Sequence, residues 1–276
     1  MKGKVVLMGA GPGDPELLTV KAFRILQTAD VVLSDRLVSP EILSDYVSPK
    51  AEIVYVGKQC RRGASTPQET INELMVIYAS EGKLVVRLKG GDVSIFSNVL
   101  DELETLVQHR IPYEIVPGVT AALGAAAYSG IPLTARDHAT AVRFLTAYKS
   151  DIVTEEYWKE LANTDDTLVF YMSSETLGHV VSKLVANGIP KAKELAVIEQ
   201  ATTPFQRIYT SSLYDYELTI KGKQFLSPTL VIIGKVVSLH KQFAWLKTEE
   251  TNIKKEYFNS LYEVPSANKE IMGLTA

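Results

Sequence analysis

The run Val85-Val86-Arg87-Leu88-Lys89 stops at Gly90-Gly91-Asp92, and that stop constrains the fold more than any other feature of the chain. A short β-forming run ending at glycines is how a buried parallel strand releases its backbone at the carboxyl edge of a sheet. The same pattern recurs four times. Lys4-Val5-Val6-Leu7-Met8 precedes Gly9-Ala10-Gly11-Pro12-Gly13-Asp14-Pro15, and Val31-Val32-Leu33 precedes Asp35-Arg36-Leu37-Val38. The run 51–56 precedes Gly57-Lys58, and Tyr113-Glu114-Ile115-Val116 precedes Pro117-Gly118. Helical patterns over 19–27, from Pro40-Glu41, over 67–80 and over 99–109 separate these runs, and another over 119–127 follows the last. Such alternation predicts an α/β fold with a mostly parallel sheet, whose ligands bind at the carboxyl edge. There Gly90 and Gly91, lacking a Cβ, would let a ligand reach the main chain, and Asp92 would offer acceptors. A plain strand-to-loop turn with an exposed acid is the other reading.

The first glycine loop resembles a dinucleotide fingerprint, and Asp35 stands near the distance of a ribose-binding acid. The match fails in detail. Its third glycine position is Asp14, and Pro12 removes an amide from the turn that would cradle a pyrophosphate. A rigid wall beside a ligand without phosphate suits this loop better.

Charged residues at the other strand ends suggest chemistry. Asp35 beside Arg36 is either a surface ion pair or an acid placed for proton transfer. Lys58, Arg61 and Arg62 bring three cations to one loop, which is a solvated turn or a cluster for a polycarboxylate. The small-residue helix after Gly118 would approach a sheet closely, with Thr120 and its first amides facing the same crevice. In helix 67–80 the spacing predicts Ile71, Leu74, Ile77 and Tyr78 inward; in helix 99–109 it predicts Leu100, Leu103, Leu106 and Val107.

The character changes beyond Gly130-Ile131-Pro132-Leu133-Thr134. Strand patterns at 142–146, 167–171, 195–198, 206–211 and 229–233 are interrupted by helices at 154–161 and 176–187, and the last strands follow without helices between. That predicts a mixed sheet and a second domain. The expected boundaries are 1–134, 135–248 and a loosely attached polar tail 249–276.

Composition excludes several classes. With 276 residues, 46% hydrophobic and 22% charged, the chain supports two cores. A net charge of -3 gives no field for nucleic acid. One cysteine, Cys60, forbids an internal disulfide and points to a reducing compartment. The amino terminus enters a strand without a basic-then-apolar leader, and no apolar run nears the roughly 20 residues of a membrane span. A cytoplasmic protein without nucleic-acid or membrane partners is expected. No cluster of ligand-type residues has metal spacing.

The motifs named above, with Arg87-Leu88-Lys89-Gly90-Gly91-Asp92, Val116-Pro117-Gly118-Val119-Thr120-Ala121-Ala122, Arg136-Asp137 and Phe170-Tyr171-Met172, stand in the order found in the tetrapyrrole (corrin/porphyrin) methylases. The chain resembles that family over about residues 3 to 247. The resemblance implies two α/β domains with S-adenosylmethionine in the cleft between them, S-adenosylhomocysteine as product, and a homodimer. It places the cofactor against Pro12, Gly90, Gly91, Asp92, Ile95, Thr120, Ala121, Met172, Ala201 and Thr229. It makes Asp35 the proton acceptor and Lys58 the proton donor. The implied reaction is C-methylation of uroporphyrinogen III to precorrin-2 through precorrin-1, for sirohaem or cobalamin. Arg36, Lys58, Arg61, Arg62, Arg136 and Lys149 would hold the carboxylates of that substrate.

One stretch departs from the family. After Gly-Gly-Asp its members continue Pro-Phe-x-Phe-Gly-Arg-Gly-Gly-Glu-Glu, whereas this chain reads Val93-Ser94-Ile95-Phe96-Ser97-Asn98-Val99-Leu100-Asp101-Glu102. Asn98 replaces a substrate-facing arginine, and Thr146-Ala147-Tyr148 replaces Thr-Gly-His. A later precorrin methyltransferase of the same fold, or a weakly catalytic protein that binds tetrapyrrole or cofactor, is therefore a further expectation.

Overall fold

A computed structural model of the chain describes residues 3–57, 66–147, 154–246 and 255–258. The chain divides into two compact units, residues 1–120 with 257–276, and residues 121–256.

The first unit is an all-parallel sheet in the order β3-β2-β4-β1-β5. Its strands are β1 (Lys4–Gly9), β2 (Val31–Ser34), β3 (Glu52–Tyr55), β4 (Leu84–Lys89) and β5 (Tyr113–Val116). The central strands are buried on both faces, as continuous apolar runs require. Val5, Leu7, Val31, Leu33 and Val85 pack on one side with α2 (Gln68–Ser80) and α3 (Val99–Gln108). Val6, Met8, Val32, Val86 and Leu88 pack on the other with α1 (Val20–Leu26). Thr19 caps α1 by accepting the Ala22 N–H at 3.2 Å.

Two helix faces differ from the periodicity expected of them. In α2, Met75 is buried while Ile77 is 50% exposed. In α3, Leu100 and Val107 are 64% and 61% exposed, and the fully buried residue beside Leu106 is Glu102. The physical reason lies on β4, where Arg87 and Lys89 face α3 and draw its carboxylate inward.

The second unit carries a mixed sheet in the order β6-β7-β10-β8-β9. The strands are β6 (Val142–Thr146), β7 (Thr167–Tyr171), β8 (Glu194–Glu199), β9 (Arg207–Ser212) and β10 (Thr229–Gly234). Among its neighbouring strands only β6 and β7 pair in parallel. α5 (Glu155–Asn163) and α6 (Leu177–Ala186) cover one face around Trp158, Phe170 and Leu184. α4 (Ala121–Ser129) covers the other, where Ala122, Ala125 and Ala126 lie against Val169, Ile198 and Ile232. Side chains this small let the helix approach the strands closely.

That packing moves the division of the chain. The sequence placed it after Thr134, but the compact units part between Thr120 and Ala121, because α4 joins the second sheet. The expected tail also differs where it is described. Tyr257 and Phe258 are buried in the first unit, and Ser39 Oγ lies 2.8 Å from the Tyr257 hydroxyl, which also donates to Glu41. Among the described residues no helix is long and apolar enough to cross a membrane.

Candidate functional site

In the first unit the strand ends converge closely enough to explain their glycines. A Cβ on Gly118 would lie 2.3 Å from the Gly91 carbonyl oxygen and 2.8 Å from the backbone of Gly9, so the loops after β1, β4 and β5 pass backbone against backbone. Gly11 and Gly91 bridge through reciprocal N–H···O bonds of 3.1 and 2.7 Å. A Cβ on Gly90 would lie 2.6 Å from that of Leu37, after β2. Close packing of loops therefore already requires Gly90 and Gly118 to lack side chains.

Around that junction stand the expected site residues of the first unit. Pro12 is buried in the β1 loop, Thr120 is 8% exposed, and Gly90, Gly91, Asp92 and Ile95 are half-buried. Asp92 accepts from the Ser94 amide at 2.8 Å, from the Ser94 hydroxyl, and from the Gly118 amide at 2.9 Å. Burial pushes its carboxyl pKa up, but these hydrogen bonds outweigh burial and hold it below the usual carboxylate range. An anion so placed, beside glycine backbone and with no cation paired to it among the described residues, fits a cationic sulfonium or a ribose hydroxyl better than a phosphate.

Asp35 follows β2, its N–H donating to the Leu88 carbonyl at 2.9 Å while its Oδ1 accepts the Arg36 N–H at 2.7 Å. Arg36 is half-buried against Gly57, whose Cβ would lie 2.9 Å from its own. Lys58, Arg61, Arg62 and Lys149 lie outside the described residues. The loop after Asp92 has left-handed backbone at Phe96 (φ 50°) and Asn98 (φ 54°), a conformation that asparagine tolerates better than most residues.

The second unit gathers the others at one edge of its sheet. Leu230 pairs with Tyr171 on one side and Ile198 on the other, and Thr229 pairs with Glu199. Met172, Ala201 and Thr229 thus end or begin neighbouring strands. The Tyr171 hydroxyl accepts the Ala122 N–H at 3.0 Å, tying Ala121 and the start of α4 to β7. Met172 is 52% exposed at φ 53°, and Gln200 and Thr202 also have positive φ, at 46° and 67°. Left-handed backbone at a β-branched residue is costly. It is held here by the Thr202 N–H donating to Gln206 Oε1 at 2.7 Å and the Gln200 N–H donating to the Pro228 carbonyl at 2.8 Å. Arg136 is exposed in a turn closed by the Ala135–Ala139 bridge.

Glu102 was not anticipated as part of a site. Its carboxylate accepts from Arg87 Nε at 3.0 Å and Lys89 Nζ at 2.7 Å, with both cations 5% exposed and Glu102 fully buried. Burial lowers the Lys89 pKa, Arg87 lowers it further, and Glu102 opposes both. Two cations at alternate positions of a buried strand were the available signal, since each needs an anion on that face.

A two-unit α/β chain with a glycine-lined parallel edge and a strained mixed edge is the setting in which the family comparison applies. The model of the tetrapyrrole (corrin/porphyrin) methylases matches residues 4–217, and the chain belongs to that family. Among individual proteins it is 47% identical over 246 residues to the siroheme synthase of Nitrosomonas europaea, covering 89% of this chain and 51% of that one. The chain spans about half the length of the curated relatives it matches. The uroporphyrin-III C-methyltransferase of Thermus thermophilus complexed with S-adenyl homocysteine is 36% identical at a TM-score of 0.70, covering 86% of this chain and 100% of that one. A cobalt precorrin-4 methyltransferase, a cobalamin biosynthetic enzyme, is 28% identical at a TM-score of 0.74, covering 85% and 95%.

Proposed function

We propose that this chain is an S-adenosylmethionine-dependent C-methyltransferase that converts uroporphyrinogen III to precorrin-2 through precorrin-1. The observation that carries the reading is the make-up of the first unit's edge: Pro12, Asp35, Gly90-Gly91-Asp92 and Thr120 come from different loops yet stand at the ends of adjacent parallel strands. The likeness to a structure complexed with S-adenyl homocysteine over all of that chain supports it.

The residues fit such a cofactor chemically. Gly90 and Gly91 expose main chain, Asp92 supplies an ionised acceptor, and the second unit adds Ala121, Met172, Ala201 and Thr229. When bound, S-adenosylmethionine supplies an electrophilic methyl group on a sulfonium. The protein's main contribution is alignment of that methyl with a nucleophilic ring carbon. Asp35 accepts the proton that the methylated ring loses, and Lys58 is its proposed donor counterpart. Arg36 and Arg136, with Arg61, Arg62 and Lys149, bind ring carboxylates by charge-assisted hydrogen bonds. A homodimer in the cytoplasm belongs to the same proposal.

Asn98 favours a second reading, a later precorrin methyltransferase, because it removes a guanidinium from the substrate side. It also motivates a third, a protein that binds cofactor or tetrapyrrole and turns over weakly. Anaerobic incubation of the purified protein with uroporphyrinogen III and S-adenosylmethionine, followed by mass analysis of the oxidised products, tests all three. Gain of two methyl groups is expected. Methylation of a precorrin alone selects the second reading, and cofactor binding without any methyl gain selects the third.

A further inference from the structure

A buried carboxylate needs one cation, and Glu102 has two. Arg87 reaches it through Nε, while its Nη1 donates to the Leu33 and Leu88 carbonyls at 3.3 and 3.2 Å. Lys89 reaches the other carboxylate oxygen. The trio carries one surplus positive charge, and at 5% exposure the Lys89 side chain has little access to water. An ammonium held there is costly unless a further anion faces it.

Sheet register supplies that anion. Leu33 pairs with Arg87 and Ser34 with Leu88, both in parallel. The next residues along the two strands are Asp35 and Lys89, and the Asp35 N–H remains bonded to the Leu88 carbonyl. Residues level with one another on parallel strands project to the same face. The charged groups acting on the Lys89 ammonium are Arg87 from its own strand, Glu102 from α3 and, least of the three, Asp35 from the loop after β2, which attracts it.

We propose that Lys89 is a positioning residue for Asp35: anchored on Glu102, it presents the surplus charge of the buried trio to the Asp35 carboxylate at the sheet edge. The part played by Asp35 in catalysis rests on the methyltransferase reading above; the pairing itself does not.

A double-mutant cycle in thermal unfolding tests the pairing. Asp35→Asn keeps an oxygen to accept the Arg36 N–H, so it removes charge alone. We expect it to lower the melting temperature by about 2–4 °C in the native background, to have no effect in Lys89→Met, and to keep its penalty in Lys89→Arg. Equal losses in all backgrounds overturn the proposal. Should Lys89→Met fail to fold, an unchanged melting temperature for Asp35→Asn with native Lys89 overturns it as well. In methyl-transfer assays Lys89→Met should lower kcat about tenfold with the KM for S-adenosylmethionine unchanged, and Lys89→Arg should restore most of the rate. A wild-type protein that transfers no methyl group would defeat the reading of Asp35 as proton acceptor, while the melting cycle would still decide whether Lys89 holds it.

Discussion

The two units each carry proposed site residues at a sheet edge, but they build that edge by different means. In the first unit all strands run one way, so the edge consists of strand ends whose loops must pass one another. Glycine solves that crowding, and a Cβ on Gly9 or on Gly118 would collide with the backbone of the other and with the Gly91 carbonyl. In the second unit β10 runs against β7 and β8, so two strand ends sit beside a strand start. Its constraint is stored instead in positive φ at Met172, Gln200 and Thr202, none of them glycine. A parallel edge thus writes its geometry into composition, and an antiparallel one leaves it in register and dihedral angles.

The largest expected effect breaks the first edge alone. Gly118→Ala drives a methyl into the Gly91 carbonyl, with no flexible side chain to yield, and should cost about 3 kcal/mol or abolish folding. Gly234→Ala, at the far end of β10, meets only Thr167, at 3.4 Å from its hydroxyl and 3.5 Å from its Cα, in extended backbone and should change stability by less than about 1 kcal/mol. Urea unfolding of both proteins measures the contrast. Equal midpoints would mean that the first edge relaxes as readily as the second.

This asymmetry also explains what the sequence disclosed. The order of strands and helices was legible because apolar runs and turn residues alternate along the first half, and the mixed second sheet because its last strands lack helices between them. Asp35, Gly90, Gly91 and Asp92 stood out because they interrupt apolar runs. The attachment of α4 was not legible, since a stripe of alanines suits either sheet. Nor was the inward turn of Glu102, because helical periodicity alone favours leucines such as Leu100 at the core. Only the pairing of Arg87 and Lys89 across β4 overrules that preference. The adjacency of Met172, Ala201 and Thr229 depends on register between strands far apart in the chain.

Buried cations give the next contrast. In the first unit, Glu102→Ala would strand Arg87 and Lys89 without their shared carboxylate and should cost about 3–5 kcal/mol. In the second, Lys193 is 2% exposed and donates to the Ala162 and Thr164 carbonyls. Lys193→Met removes a charge together with those hydrogen bonds, so a smaller loss of about 1–3 kcal/mol is expected. A larger loss for Lys193→Met would show that carbonyl capping holds a buried ammonium more firmly than a carboxylate does.

A catalytic comparison follows. Asp35→Asn should leave S-adenosylhomocysteine binding unchanged by calorimetry and lower the rate of methyl transfer by a factor on the order of 100. An unaltered rate would remove Asp35 from the mechanism and leave its edge with a binding role, like that proposed for Met172 and Ala201.

The smallest effect concerns the exposed ion pairs, where the two units should behave alike. Glu114 on β5 pairs with Lys21 and Lys4, and those hydrogen bonds, Lys21 first, hold its pKa down at about 2. In the second unit Arg143 holds the Asp166 carboxyl below the usual range. Both folded-state values lie under the ordinary carboxylate values of 4.5 and 3.8. Their stabilisation is therefore present above those values and is lost as pH falls, for Glu114 between 4.5 and about 2. Solvent screening keeps each contribution small. Melting temperatures across that range for the wild type, Glu114→Gln and Asp166→Asn, at low and high salt, measure it. Each substitution should flatten the acid limb slightly and equally, and the difference should vanish in high salt. A limb that flattened for one unit alone would carry the contrast between the two edges out to their surfaces.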